Sequence, residues 1–380
     1  MKKTLSLLLA LLMIFTLLAG CGSQSTSANN STSSNNTDTT TPNNANTDTT
    51  ASDGTNIITF TDDCGRTVEI EGPITKIVPS GPLAQIMLFA IVPDMFVGVS
   101  SDWDDSSAAF LNEEYYNLPV VGQLYGGKGE VNLEELLILS PQILIDVGEA
   151  KDSAGEDLDS LQEQLGIPCI HIEATLYTMP DAYRRIGKLL NREAEAEEIA
   201  QYYESWLEKT EALVVKIGEE NLAKVIYCVG LEGLAVLAKT SFHAEIIDMI
   251  TNNIAVVDDV SSKGTGNPVD MEQLLLWDPD YIIFSPDGGY EKAMNDETWQ
   301  QLKAISNGNY IEVPYGPYNW VTSPPSVQRI LSLIWLPAAL YPEYIDYDVY
   351  EETAKYFEMF YHCDLTREQF DILTENSFIK

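Results

Sequence analysis

The sequence predicts an α/β fold: two Rossmann-like lobes joined by one long helix, with a ligand cleft between them. Three observations carry this. First, VNLEELLILSPQILI (Val131 to Ile145) matches VDMEQLLLWDPDYII (Val269 to Ile283) position by position. In each copy a short helix bears a glutamate (Glu134, Glu272) and a Leu-Leu pair, then stops at a proline (Pro141, Pro279) before an apolar strand. Second, Lys76-Ile77-Val78 and Lys224-Val225-Ile226 each precede a loop and a helical stretch, so strands alternate with helices twice over. Third, no Pro or Gly interrupts Lys188 to Ile217, and Ile186, Leu189, Leu190, Ile199, Tyr202, Tyr203 and Leu207 recur at helical spacing. Such a helix is roughly 45–50 Å long at 1.5 Å per residue, enough to run along two small lobes.

Taken in order, the chain opens with Lys2-Lys3 and an apolar run from Leu5 to Ala19, shorter than the ~20 residues a spanning helix needs. Leu18-Ala19-Gly20-Cys21 resembles the bacterial lipobox, in which Cys21 becomes the lipidated mature N-terminus. Residues 1–21 therefore read as a lipoprotein signal peptide. Residues 22–56, almost all Ser, Thr, Asn, Asp and Ala up to Asn56, read as a disordered tether spanning on the order of 30 Å. The N-terminal lobe is expected over 57–178, the linking helix over 179–220, the C-terminal lobe over 221–342 and a helical tail over 343–380.

Composition excludes several function classes. A net charge of −37 and a pI near 4.1 leave no basic footprint for nucleic acid or for anionic lipid headgroups. No phosphate-binding loop is present, since GGKGE (Gly126 to Glu130) lacks the spaced glycine and the hydroxyl after lysine. There is neither a G-x-S-x-G elbow nor a G-x-G-x-x-G after a strand. Cys64, Cys169, Cys228 and Cys363 show no paired spacing and are expected as reduced thiols without a catalytic role. Cys169, His171 and Glu173 alternate along one strand as metal ligands would, yet so apolar a strand points to a core histidine. No catalytic residue, resident metal or cofactor is expected.

In open α/β sheets the loops after the strands build the site. Here these are PSGPLAQ, SSDWDD, GQLYGGKG and DVGEAK in the first lobe, and CVGLEG, AKTSFHAE, SSKGTG, SPDGG and PYGPYNWVTSPPS in the second. They predict ligand contacts from Ser80, Trp103, Gln123, Tyr125 and Glu149 on one side. Glu232, His243, Lys263, Asp287, Tyr318 and Trp320 are expected on the other. The aromatic members suit a small-molecule pocket. His243, at a helix start facing the cleft, is a candidate contact or axial ligand for a metal inside a ligand.

The opening ITFTDDCGRTVEIEGPITKIV resembles the start of the periplasmic-binding-protein family that serves ABC importers of iron chelates, haem and cobalamin. The NLEEL…SP and DMEQL…DP units, the long helix and KTSFHAEIIDMITNNIAV are similar to the same family, over Ile57 to Pro342. The resemblance implies a monomeric, membrane-anchored, extracytoplasmic solute-binding protein, not an enzyme. It would pass a small-molecule ligand to a permease dimer with its ATPases. It also implies that Glu134 and Glu272, one per lobe, dock into basic sockets on that permease. A symmetric pair of acids on matching helices suits such a partner on charge grounds as well. The ligand is expected to be a metal chelate (an iron siderophore, haem or a corrinoid), because the strand-end loops hold no arginine for a strongly anionic one. Molybdate or tungstate, bound through backbone N–H groups, is the alternative within the family. A lipid-anchored enzyme acting on a chelate is the alternative outside it.

Overall fold

The computed structural model describes residues 49–52, 55–125 and 130–379. The expected signal peptide, Cys21 and most of the expected tether lie outside them. The described chain opens with an antiparallel sheet of β1 (Thr49–Ser52), β2 (Thr55–Thr61) and β3 (Thr67–Gly72), in that order. This corrects the tether's expected end at residue 56, since Thr49 already pairs with Ile58. The missed signal is a threonine-rich run beside Asp53-Gly54, a dipeptide favoured between paired strands.

In the N-terminal lobe, β4 (Ile77–Pro79), α1 (Pro82–Ile91), α2 (Glu113–Tyr116), α3 (Leu133–Leu139), β5 (Ile143–Gly148), α4 (Ala154–Leu165) and β6 (Cys169–Glu173) follow. The three strands form a parallel sheet, β4-β5-β6, with Asp146 opposite His171. Then come α5 (Met179–Leu190) and α6 (Glu193–Ile217).

The expected single helix through this region is broken. Asn191 adopts φ 56° and ψ 49°, the left-handed cap that Asn tolerates, and Arg192 N closes the turn on Gly187 O at 2.7 Å. The chain then folds back so tightly that a Cβ on Gly187 would lie 2.3 Å from the Ala196 Cβ, which leaves room only for glycine. Arg184 fastens the pair, reaching Glu197 at 2.7 Å and Glu204 at 2.6 Å. The linking helix is thus α6 alone, 25 residues and about 37 Å.

The C-terminal lobe comprises β7 (Lys224–Val229), β8 (Ala235–Val236), α7 (Glu245–Ile250), β9 (Asn252–Asn253), β10 (Asn267–Pro268), α8 (Met271–Trp277), β11 (Tyr281–Phe284), α9 (Gly289–Asn295), α10 (Lys303–Ser306), β12 (Tyr310–Glu312) and α11 (Arg329–Leu340). Its sheet runs β10-β8-β7-β11-β12, with β9 also on β7. The tail adds α12 (Val349–Tyr361) and α13 (Arg367–Leu373).

The repeat is structural down to its caps. Asn132 and Asp270 cap α3 and α8 by accepting from Glu135 N (3.1 Å) and Gln273 N (2.8 Å). Ser140 and Asp278 end them in the left-handed region, at φ 48° and 45°. Strands β5 and β11 follow directly.

Side-chain alternation along the strands sorts the core into three parts. Val78, Leu144 and Cys169 face one side of the first sheet, under Leu136 of α3 and Leu158 and Leu161 of α4. Ile226, Cys228, Ile282 and Phe284 face the matching side of the second, under Leu274 of α8. The other faces of both sheets share one continuous core. Ile77, Ile143 and Ile170 belong to it with Tyr227, Ile283 and Ile311, together with residues of α1, α5, α6, α11 and α12.

Candidate ligand-binding site

The C-terminal half of the site is built around His243. Ser241 caps the short turn Phe242–Ala244 by accepting from His243 N at 3.3 Å. Arg329, fully buried, pins that turn from below. It donates to Phe242 O, pairs with Glu245 at 2.5 Å, and lies 4.9 Å from the Phe242 ring centre. The His243 Nδ1 sits 2.6 Å from Thr322 Oγ1, and Thr322 N donates to Asn319 Oδ1 at 3.0 Å. Gly264 closes over the ring: a Cβ there would be 3.0 Å from His243 Cε1 and 3.4 Å from Ser323 Oγ. Burial first, and the Arg329 charge second, lower the His243 pKa to about 4, against a hydrogen bond with the Ser262 backbone. At neutral pH the imidazole is therefore uncharged, the form that binds metals.

The N-terminal half gathers at the ends of β4 and β5. Ser80 O accepts from Leu124 N at 2.7 Å, and Gly81 passes close enough that a Cβ would meet Tyr125 O at 3.4 Å. Tyr125 donates to Asp157 at 2.9 Å while the Lys151 ammonium rests 4.0 Å from its ring centre. That hydrogen bond adds to burial, the larger effect, in raising the Tyr125 phenol's pKa. Gly148, at φ 139°, abuts Leu83, and Glu149 beyond it is exposed. The two halves meet where Ser326 Oγ donates to Leu83 O at 3.0 Å and Gln85 Nε2 reaches the Tyr318 hydroxyl at 3.3 Å.

Several expected contacts lie elsewhere. Trp320 is fully buried, its indole N–H bound to Gly316 O at 3.1 Å, so it is core and not a cleft wall. Trp103 is buried too. It donates to Tyr115 O at 3.0 Å and packs on Phe89 and, across the lobes, on Tyr318 at 5.9 Å. Trp103 and Tyr318 close the lobes on each other, a use that spacing in the sequence does not separate from ligand stacking. The Ser80 hydroxyl is spent on Asp146, whose other oxygen lies 2.6 Å from His171 Nδ1. His171 is thus a buried, carboxylate-bound ring, and among the described residues no group of His, Cys, Asp and Glu is arranged to hold a metal ion.

Glu232 pairs with Lys292 at the surface, at 3.2 Å. Asp287 accepts from Gly230 N at 2.7 Å and bridges two strand-end loops, with burial raising its pKa. Lys263 is exposed on the loop that carries Gly264. Gln123 lines a cavity of about 400 Å³ beside α3 and α4, with Glu130, Leu133, Asp157, Leu161 and Gln164. A second cavity, about 410 Å³, lies between the N-terminal lobe's Phe110, the strand-end residues Pro286 and Val313, and Leu373 of the tail. Neither takes in His243. Thr322, Ser326, Leu83 and Arg329 were not anticipated. Each acts through tertiary hydrogen bonds or ion pairs, for which local sequence holds no signal.

The sequence model described as "Periplasmic binding protein" matches residues 103–315, more than half of the chain. The high-affinity heme uptake system protein IsdE of Staphylococcus aureus is 24% identical over 220 residues, covering 54% of this chain and 70% of its own. Among solved structures, an ABC transporter solute binding protein from Sulfurospirillum deleyianum is 26% identical with a TM-score of 0.76, covering 83% of this chain and 99% of its own. A periplasmic solute binding protein from Veillonella parvula is also 26% identical, with a TM-score of 0.69 and coverage of 84% and 97%. The molybdate-binding MolA of Haemophilus influenzae shares the fold, with a TM-score of 0.66 at 18% identity over 81% of this chain and 99% of its own. None of the helices among the described residues is long and apolar enough to cross a membrane. The chain belongs to the periplasmic binding protein family, as an extracytoplasmic solute-binding component of an ABC importer and not an enzyme.

Proposed function

We propose that this solute-binding protein captures a metal chelate (haem, an iron siderophore or a corrinoid) between its lobes. It would hand the chelate to its permease while anchored to the membrane through lipidated Cys21. The observation that carries the reading is His243. It is a neutral imidazole held by the hydroxyl of Thr322, on the loop whose Tyr318 meets Gln85 of the first lobe, with the small residue Gly264 against it. A ring oriented through one nitrogen is set up to offer the other to the metal of a chelate. Coordination would use the nitrogen that Thr322 does not hold, with the 261–265 loop making way. The described cleft residues include no unpaired arginine, since Arg329 is committed to Glu245 and Phe242 O, which weighs against a strongly anionic ligand. The name of the staphylococcal relative points to haem as the first compound to try.

Haem titration followed by its absorbance band tests the reading. The unaltered protein is expected to bind, His243→Ala to bind at least about tenfold more weakly with a changed axial-ligand spectrum, and Trp320→Phe to bind as before. Native mass spectrometry against siderophores, corrinoids and molybdate resolves the class. Molybdate bound in preference to every chelate would sink the chelate reading. Cys21→Ser is expected to free the protein from membranes on fractionation, and its retention there would sink the anchor.

A further inference from the structure

We propose that the 261–265 loop is a lid over His243, latched to the ring in this structure and lifted before a ligand reaches it. That a chelate is what lifts it rests on the function proposed above; the lid itself stands on contacts within the protein.

The loop, Ser261-Ser262-Lys263-Gly264-Thr265, is fastened at both ends and holds no apolar side chain between them. Asn267 of β10 clips its two approaches together. The Asn267 side chain accepts from Ser261 N at 2.9 Å and donates to Asp259 O at 2.6 Å. Gly266 turns the chain out at φ 69°, where a Cβ would lie 2.5 Å from Val236 O, so only glycine fits. Between these ends the loop bonds to itself, Gly266 N to Lys263 O at 2.9 Å and Lys263 N to Ser261 Oγ at 3.2 Å. It reaches the site through Ser261 O, which accepts from Ser241 Oγ at 3.3 Å, and through the Ser262 backbone, which hydrogen-bonds the His243 ring. Gly264 lies against the same ring. A Cβ there would be 3.0 Å from Cε1 and 3.3 Å from Nδ1.

The ring is the fixed partner and the loop the movable one. Thr322 and Arg329, which hold His243 and its turn, are fully buried, so moving the ring breaks bonds in the core. Ser262, Lys263 and Thr265 are exposed, so lifting the loop uncovers little apolar surface and gives up few bonds. A ring nitrogen engaged by the Ser262 backbone is closed to a metal, and the site is competent only in the lifted fraction. Apparent affinity falls in proportion to that fraction, and a change that unlatches the loop raises it. Gly264 is the position to change. Its backbone lies outside the left-handed region, so alanine is tolerated there and its methyl presses on the ring.

The test is carbethoxylation of the purified protein by diethyl pyrocarbonate at neutral pH, read for each histidine by peptide mass spectrometry. The chain holds three histidines. Exposed His362 sets the reagent rate, and buried His171 reports that the fold is intact. In the unaltered protein His243 is expected to react at least about tenfold more slowly than His362. Gly264→Ala is expected to speed the reaction of His243 at least about fivefold while His171 stays protected. Should His171 react too, as in a misfolded chain, Asn267→Ala, which releases both clips, carries the same expectation. His243 reacting as fast as His362 in the unaltered protein overturns the lid. So does an unchanged His243 rate in both variants. Stopped-flow haem binding then separates the lid from the ligand. Gly264→Ala is expected to take up haem several-fold faster than the unaltered protein, and equal rates overturn the lid as a gate. Failure of every sample to bind haem, with the reagent pattern kept, removes the ligand and leaves the lid.

Discussion

The two lobes share a frame and differ in what fills it. Aligning the repeat places Asp146 of β5 opposite Phe284 of β11, each one residue beyond the matched segment. In the first lobe that position holds a buried polar chain, Ser80 to Asp146 to His171. In the second it holds an aromatic cluster in which Phe284 meets Trp299 at 5.4 Å, Tyr290 at 6.3 Å and Tyr310 at 6.4 Å. The exterior of the repeat, its caps and its acid are the same. Position in the fold thus fixes surface and backbone, while the interior closes around either a hydrogen-bonded polar chain or a cluster of rings.

Truncation at the matched sites probes this difference, and the aromatic side is expected to lose more. Phe284→Ala should cost about 3–5 kcal/mol, through lost burial and the cavity left among three rings. Asp146→Ala should cost about 3 kcal/mol, because the Ser80 hydroxyl and the His171 ring remain buried without their acceptor. Denaturant titration reads both. The continuous core predicts a single transition for each variant; a biphasic curve would show the lobes to be separate cooperative units.

His243 gives the second lobe a pH signature. Its folded pKa of about 4 lies below the ordinary 6.5, so the unfolded chain takes up the proton first as pH falls. Its contribution is constant above about 6.5, falls between about 6.5 and about 4, and levels off below. His243→Gln should remove that segment, measured as the difference in melting temperature from the unaltered protein at pH 4.5 and 7.5. An unchanged slope would locate the acid sensitivity elsewhere. The smallest effect is expected at the matched caps. Ser140→Gly and Asp278→Gly each relieve a positive φ but lose a side-chain bond, to Leu137 O at 2.9 Å and from Lys303 respectively. Each should shift stability by less than about 1 kcal/mol. A large cost at one cap alone would break the equivalence of the two helices.

The tail shows how contacts can bind lobes that the sequence presents as separate. His362 Nε2 lies 3.3 Å from Phe89 O in the first lobe, while Glu312 N donates to Asn376 O at 2.9 Å in the second. Phe110 and Phe357 also meet at 5.2 Å. With α6, these contacts tie both lobes into the continuous core and support only modest opening of the cleft.

The sequence by itself determined what depends on short-range pattern. The repeat, its caps, the exposed acids, the apolar strands and the class of fold all follow from residues within about 15 positions of one another. Even there apolar spacing is not enough: Asn191 ends a helix in a stretch that such spacing alone reads as continuous. Tertiary structure decided what depends on which surfaces meet. Trp103 and Trp320 have the composition of a ligand wall, yet Trp103 packs across the lobes on Tyr318 and Trp320 is buried on a carbonyl of its own loop. Thr322 and Arg329, 79 and 86 residues beyond His243, orient its ring and the turn that carries it. No spacing rule joins partners that far apart, because only the packing of α11 and the 316–325 loop against α7 brings them within a hydrogen bond.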